Sequence, residues 1–176
     1  MDLLDYCDGN LYFEETLPPE AEGLLIESSR HFATEHGEVL LLRAFLLAPD
    51  HLAILVELYR YYSARQRLPE ALRMAERAMQ LAARRLDLPG DWQRLDDARL
   101  ANAAISSFGL LRFYLLALKS ASVLLLRLGR VDASRLRLNK IAALDRRDQL
   151  GAARLLEALD AFVPRPPVAT PCVAFA

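Results

Sequence analysis

The chain has 176 residues, a formal net charge of −1 and a hydrophobic fraction of 53%. This length fits one domain with a substantial buried core, and the hydrophobic fraction excludes wholesale disorder. Leucine and alanine dominate and only 7 residues are glycine, so the composition favours helices over strands.

Charge is distributed unevenly along the chain. Residues 1–38 contain ten acidic side chains and one basic side chain, whereas the rest of the chain has an excess of basic residues. We expect the acidic segment either to lie against the basic remainder of the chain or to face a different partner from that of the remainder. The alternative is two differently charged, solvated surfaces.

Neither a membrane span nor a secretory signal is predicted. The most apolar stretch, residues 110–128, is interrupted by three basic residues and lacks the roughly 20 apolar residues that a bilayer requires. The N-terminus carries acidic residues where a signal peptide carries basic ones. These features predict a cytoplasmic protein in which Cys7 and Cys172 are free thiols.

The chain divides into an arm, a helical body and a tail. Residues 1–17 combine acidic with aromatic side chains and precede the helix-breaking pair Pro18-Pro19, which predicts an N-terminal arm. Helical periodicity runs through residues 18–163, and the proline-rich residues 164–176 are predicted to form an extended tail. The predicted helices span residues 18–32, 38–48, 51–65, 69–86, 92–107, 110–128, 132–144 and 148–162.

Helix boundaries follow from caps and breakers. Asp50, Asp91 and Asp132 are expected to cap the helices that follow them, and Gly129 is expected to end one. The resulting eight or so helices have short connections, and each needs a neighbour to cover its apolar face. The predicted fold is therefore all-α, with antiparallel helical hairpins stacked on one another.

Residues 52–83 carry a recurring pattern of large and small side chains. The pattern consists of Leu55, Leu58, Tyr62, Ala71 and Ala78. It resembles the tetratricopeptide repeat, a helical hairpin of about 34 residues in which a small residue marks the close crossing of two helices. The resemblance implies a short solenoid. Its one departure is a large residue, tyrosine, at position 59, where the motif prefers a small one.

A second copy of the pattern spans residues 115–146. Its defining positions are Leu118, Ala121, Ser122, Leu125, Gly129, Ser134, Leu138 and Ile141. The two copies start 63 residues apart, where two repeats would give about 68. We therefore expect an irregular hairpin between them, a degenerate repeat before them and a capping helix after them.

Three phrases of the sequence support a second, narrower resemblance. These are LVELYRYY at 55–62, LDLPGDW at 86–92 and LLRFYLLALK at 110–119. Together they are similar to small repeat proteins encoded beside nitrogen-fixation genes. That resemblance implies a partner among nitrogenase components or their maturation factors.

The tetratricopeptide resemblance implies a groove that receives a peptide or helix of a partner protein. The first helices of successive hairpins line such a groove. The implied partner-binding residues are Val56, Glu57, Arg60, Ser63, Lys119, Ser120, Val123 and Arg127. Each of them is alternatively an ordinary solvated or interhelix position. A self-associating protein, with an apolar face around Trp92 and Phe108, is a second possibility.

Other functions have weaker support in the sequence. Residues 112–154 contain ten basic and three acidic side chains, but the two aromatic residues there are expected in the core, so nucleic-acid binding is disfavoured. The pairs His31 with Glu35 and His36 with Glu38 lack a third ligand in that pattern, which predicts no metal site. With no catalytic or cofactor motif, neither an enzyme nor a cofactor is predicted.

Overall fold

All regular structure in the described part of the chain is helical. The computed structural model describes residues 16–162. Its α-helices are α1 (Pro19–Arg30), α2 (Glu35–Leu47), α3 (Leu52–Ala64), α4 (Leu68–Arg85), α5 (Asp97–Arg127), α6 (Val131–Leu144) and α7 (Ala152–Phe162). The prediction of an all-α fold is confirmed. The predicted tail, both cysteines and all but the last two residues of the predicted arm lie outside the described residues.

Seven α-helices replace the eight predicted ones, because the fifth and sixth predicted helices form one. Residues Trp92–Arg94 form a short 3-10 turn. Asp91 caps this turn, because its carboxylate accepts a hydrogen bond from Gln93 N at 2.9 Å. The α-helix itself begins later, where the Asp96 carboxylate accepts a hydrogen bond from Arg99 N at 2.8 Å. Asp91 therefore caps the 3-10 turn and not the long helix.

Helix α5 is kinked close to the weak point that the sequence shows near residue 109. Ser107 leaves helical geometry, with φ −159° and ψ 102°, and its hydroxyl oxygen accepts a hydrogen bond from Leu110 N at 3.3 Å. This is the arrangement of a helix N-cap, placed inside a longer helix. The two predicted segments thus survive as two arms of one kinked helix.

The start of α3 differs from its prediction in the capping residue. His51 caps this helix, because its Nδ1 accepts a hydrogen bond from Ala53 N at 3.3 Å. Asp50 instead forms an ion pair with Arg77 of α4 at 3.2 Å. The prediction that Asp50 caps α3 is therefore wrong, since its carboxylate ties the α2–α3 connection to α4.

Each helix packs mainly against its predecessor and its successor in the chain. The core continues along the whole stack of helices, and its three largest fully buried side chains are aromatic. They are Tyr61, Phe113 and Tyr114. Burying each of these contributes about 1.5–3 kcal/mol relative to exposure.

Small residues mark the closest helix contacts. Ser122 of α5 and Ser134 of α6 are both fully buried. The Ser134 hydroxyl donates a hydrogen bond to the Ser122 carbonyl oxygen at 2.7 Å, and the Ser122 hydroxyl donates to the Leu118 carbonyl oxygen at 2.8 Å. Ala71 at the start of α4 is equally buried. A larger side chain at these three positions would separate the helices.

Helix α5 is the one described helix long and apolar enough to cross a membrane. Within residues 16–162, however, 61% of its most apolar window is buried inside the protein. Length and composition alone are weak support for a span, because the core helix of a soluble protein has the same properties.

Candidate partner-binding surfaces

The structure divides the eight predicted groove residues into buried and accessible ones. Four are buried, namely Val56, Ser63, Lys119 and Ser120. Helix α3 is apolar on most of its circumference because α2 and α4 cover it from two sides. The residues left for a partner to contact in this groove are Glu57, Arg60, Val123 and Arg127.

The accessible charged groove residues already have partners within the chain. Arg60 forms an ion pair with Glu57 at 3.0 Å, one turn away on α3. The Arg127 guanidinium donates a hydrogen bond to Gln66 Oε1, which connects the end of α5 to the end of α3. A partner in this groove therefore has to contact an existing Glu57–Arg60 ion pair and an Arg127–Gln66 hydrogen bond. Exposed ion pairs contribute little to stability, so they can be rearranged on binding at small cost.

The predicted groove residue Lys119 is buried beside the connection between α6 and α7. A Cβ atom placed on Gly151 would lie 3.9 Å from Lys119 Nζ, so the ammonium group faces the connection between α6 and α7. The lysine side chain is 9% exposed. It therefore belongs to the packing of the C-terminal helices.

A polar cluster joins α2, α3 and α4. Arg67 binds both oxygens of Glu38, at 2.8 and 2.7 Å, and also binds Glu70 at 3.0 Å. The Tyr62 hydroxyl donates a hydrogen bond to Glu38 at 3.2 Å, and the Arg67 guanidinium lies 4.7 Å above the Tyr62 ring. Burial, reinforced by the Glu38 carboxylate, raises the pKa of Tyr62 to about 12. The cluster fixes the junction of the first two hairpins.

An apolar pocket of about 520 Å³ opens between α5, α6 and the connection to α7. Its lining residues are Phe108, Leu111, Arg112, Leu115, Ile141, Leu144, Asp145, Gln149 and Leu150. Phe108 follows the kink at Ser107 directly and is 69% exposed. A concave apolar surface with a few polar groups at its edge is the usual form of a binding site.

Basic residues of the second half are tied into the packing. Arg137 of α6 forms an ion pair with Glu76 of α4 at 2.6 Å and lies over the Trp92 ring at 5.8 Å. Arg135 forms an ion pair with Asp160 of α7. These two arginines are largely buried, so the cluster at 135–137 is not a surface for phosphate groups.

Two histidines and a glutamate meet where α1 turns into α2. The sequence pattern pairs each histidine with a glutamate that follows it, whereas the structure groups His31 and His36 with each other and with Glu27. Glu27 precedes His31 by four residues, one helical turn, so this third group is present at helical spacing. The statement that a third ligand is lacking is therefore wrong.

A comparison with known proteins places this chain in a family. A 19.8 kDa protein from the nifW 5′ region of Azotobacter chroococcum mcd 1 is 43% identical over 159 residues, which cover 90% of this chain and 89% of the relative. The chain belongs to the family of this nifW-region protein. No family model matches the sequence. No solved structure matches it either.

Membership of the nifW-region family agrees with the narrower of the two resemblances. The relative is encoded near a nitrogen-fixation gene, as the three sequence phrases imply. The tetratricopeptide resemblance and the partner-binding groove stay predictions.

Two features of this nifW-region family member are not predicted from the sequence, namely the apolar pocket and the group of Glu27, His31 and His36. The pocket forms where the second arm of α5 meets α6 and the connection to α7, and a linear pattern does not give this contact, although Phe108 is named above as a candidate for self-association. The glutamate–histidine group crosses a turn between two helices. Its detectable signal is the spacing of Glu27 and His31, followed by His36 five residues later.

Proposed function

We propose that this nifW-region family member is a non-catalytic binding module that holds another protein during nitrogen fixation. The observation that carries the proposal is the apolar pocket beside the kink of α5. Phe108 at its edge leaves most of a phenyl ring in water, which costs free energy unless a partner covers it. Aromatic side chains in such positions are typical anchors of protein interfaces.

The scaffold supports a tetratricopeptide-like mode of action. Three successive hairpins, α1–α2, α3–α4 and α5–α6, each pack on the next, and α7 follows as a final helix. The small residues Ala71, Ser122 and Ser134 are fully buried, which supports their proposed place at the close helix crossings of such a repeat. Rigid stacked hairpins present a binding surface at little entropic cost to the partner.

The chemistry of the pocket defines the partner segment. Its lining is mainly aliphatic, with Arg112, Asp145 and Gln149 as its polar groups. A helix or extended segment with one bulky apolar side chain, flanked by hydrogen-bonding groups, would fit it. Because the relative is encoded in the nifW 5′ region, we propose a nitrogenase component or a nitrogenase maturation factor as the source of this segment.

The test is affinity capture of the tagged full chain from nitrogen-fixing cells, read by mass spectrometry. Phe108→Ala removes the exposed anchor, and Gln149→Trp fills the pocket from an exposed position. Ile105→Ala is the matched control, because Ile105 is 85% exposed on the same helix but does not line the pocket. We expect both pocket variants, but not the control, to lose a stoichiometric partner.

A fourth variant separates the pocket from the predicted groove. It combines Glu57→Ala, Arg60→Ala and Arg127→Ala, which removes the accessible charges of α3 and α5. Loss of the partner from this variant alone would move the binding site to the groove. Equal recovery of the partner with all variants would contradict both binding surfaces.

Self-association is a second candidate function, because a separate apolar surface lies on the first hairpin. Five large apolar side chains of α1 and α2 are 40–79% exposed, namely Ile26, Val39, Leu42, Leu46 and Leu47. Three of them follow at steps of three and four residues along α2, which aligns them on one face. Light scattering of the concentrated protein decides this alternative, since a monomeric mass would exclude it.

A further inference from the structure

Glu27, His31 and His36 bring three metal-binding groups together on the surface. One ligand atom from each lies within 4.8 Å of the others. The two imidazole rings meet edge to face, with centroids 5.0 Å apart and an interplanar angle of 84°. Glu27 lies in the last turn of α1, His31 is the residue that follows this helix, and His36 lies in the first turn of α2. The group therefore bridges two helices.

The backbone holds the two histidines close together. At Gly37, a Cβ atom would lie only 2.5 Å from the His31 carbonyl oxygen, so the start of α2 rests directly on the end of α1. Thr34 binds the same carbonyl oxygen through its amide and its hydroxyl group, both at 2.9 Å. This contact fixes the distance between the backbones of His31 and His36.

The turn is also anchored from the core. The hydroxyl of Tyr61 on α3, a residue that is 1% exposed, donates a hydrogen bond to the Thr34 carbonyl oxygen at 2.9 Å. Phe32 packs edge to face on the same tyrosine, with ring centroids 5.6 Å apart. A turn that is held at both its amide and its carbonyl groups keeps the three ligand groups near one another before any ion arrives.

From this geometry we propose that Glu27, His31 and His36 bind one divalent transition-metal ion of the zinc type. Two imidazole nitrogens and one carboxylate oxygen form a ligand set that zinc uses when a fourth position stays open. Tetrahedral bonds of about 2.0–2.1 Å place neighbouring ligand atoms about 3.4 Å apart. The widest separation of 4.8 Å therefore has to shrink by about 1.4 Å, which rotation of surface side chains supplies.

The charge around the site favours a cation. Residues 19–38 contain five glutamates, one arginine and no lysine. Three ligands are too few for calcium, which takes six to eight oxygen atoms, and imidazole nitrogen prefers zinc, nickel, cobalt or copper.

The test is a calorimetric titration of zinc chloride into the full chain at pH 7.5. Cys7 and Cys172 are first replaced by serine, because thiolates are strong zinc ligands and would mask a histidine site. We expect one zinc ion per chain. Replacing His31 or His36 by glutamine should weaken binding at least about 10-fold, and Glu27→Gln should weaken it to a similar extent.

Matched controls and a second readout keep the result specific. Glu22→Gln changes an exposed glutamate of the same helix and should leave the affinity unchanged. The third histidine, His51, caps α3 and stays in all variants as an internal control. Cobalt substitution gives visible absorption bands, which should disappear in the His31→Gln/His36→Gln double variant while its circular dichroism spectrum stays helical.

Two outcomes would overturn the proposal. One is the absence of stoichiometric zinc binding to the thiol-free chain. The other is equal zinc affinity of the thiol-free chain and its double-histidine variant. In either case the two imidazoles form an ordinary edge-to-face contact beside a glutamate.

Discussion

Two helical glycines are expected to respond in opposite directions to the same substitution. Gly37 of α2 rests on the end of α1, where a Cβ atom would lie 2.5 Å from the His31 carbonyl oxygen and 3.0 Å from its carbonyl carbon. Gly23 lies inside α1, and a Cβ atom there would have no neighbour within 4 Å. Replacing each of them by alanine adds the same methyl group in two different environments.

The sizes of the two effects follow from these distances. At Gly23 alanine lowers the entropy of the unfolded chain and improves helix propensity, so we expect a gain of about 0.5–1 kcal/mol in the free energy of unfolding. At Gly37 a contact of 2.5 Å with backbone atoms cannot relax by side-chain rotation. Forcing the two helices apart costs about 1–3 kcal/mol, which exceeds the gain in propensity.

Urea denaturation of both variants and the unchanged chain measures the difference. With a slope of about 2 kcal/mol per molar urea, a difference of about 2–3 kcal/mol separates the two midpoints by more than about 1 M. The Gly23→Ala midpoint should lie above that of the unchanged chain, and the Gly37→Ala midpoint below it. A Gly37→Ala midpoint at or above the unchanged value would refute the close contact between α1 and α2.

Two further predictions concern the core. Ser134→Leu removes the hydrogen bond to α5 and overfills a closed contact, so it should cost about 2–4 kcal/mol, whereas Ser106→Leu on the exposed side of α5 should change stability by less than about 0.5 kcal/mol. Equal urea midpoints for the two variants would contradict the close packing of α5 and α6. Burial raises the pKa of both Tyr62 and Tyr114 to about 12, above the value near 10 of the unfolded chain. Because the folded state then binds more protons, the contribution of these two tyrosines to stability is fully present below pH 10 and is lost as the pH rises through 12. Tyr114→Phe should make this decline shallower in urea titrations at fixed pH. An unchanged slope in that variant would exclude Tyr114 as a cause.

Sequence patterns predicted most of the helices because local signals mark their ends. A proline stands in the first turn of α1 and of α4, where proline is tolerated in a helix. Gly129 stands just after α5, where glycine commonly ends a helix. Gly129 has φ +74°, which suits a helix terminus. The capping predictions failed at three aspartates. Asp50 pairs with Arg77 instead of capping α3, Asp91 caps a 3-10 turn instead of α5, and Asp132 lies inside the first turn of α6, after the N-cap position Arg130.

The candidate surfaces were harder to predict than the helices. Burial of Val56 and Ser120 depends on which neighbours cover α3 and α5, and repeat spacing alone does not give that information. Phe108 lines the pocket with Leu111 and Leu115 of the same helix face, but only the packing of α6 and the connection to α7 on that face makes it a pocket. The group of Glu27, His31 and His36 was missed although its first two members stand one turn apart, because its third member lies across a turn.

The packing of each helix mainly on its neighbours in the chain has a consequence for folding kinetics. Contacts between segments close in sequence need only short loops to close, so the body should fold within milliseconds or faster once synthesised. Terminal helices have a neighbour on one side only, so α1 and α7 should open independently of the rest. Native-state hydrogen exchange should therefore show amide protection that decreases from α4 and α5 towards both ends of the stack.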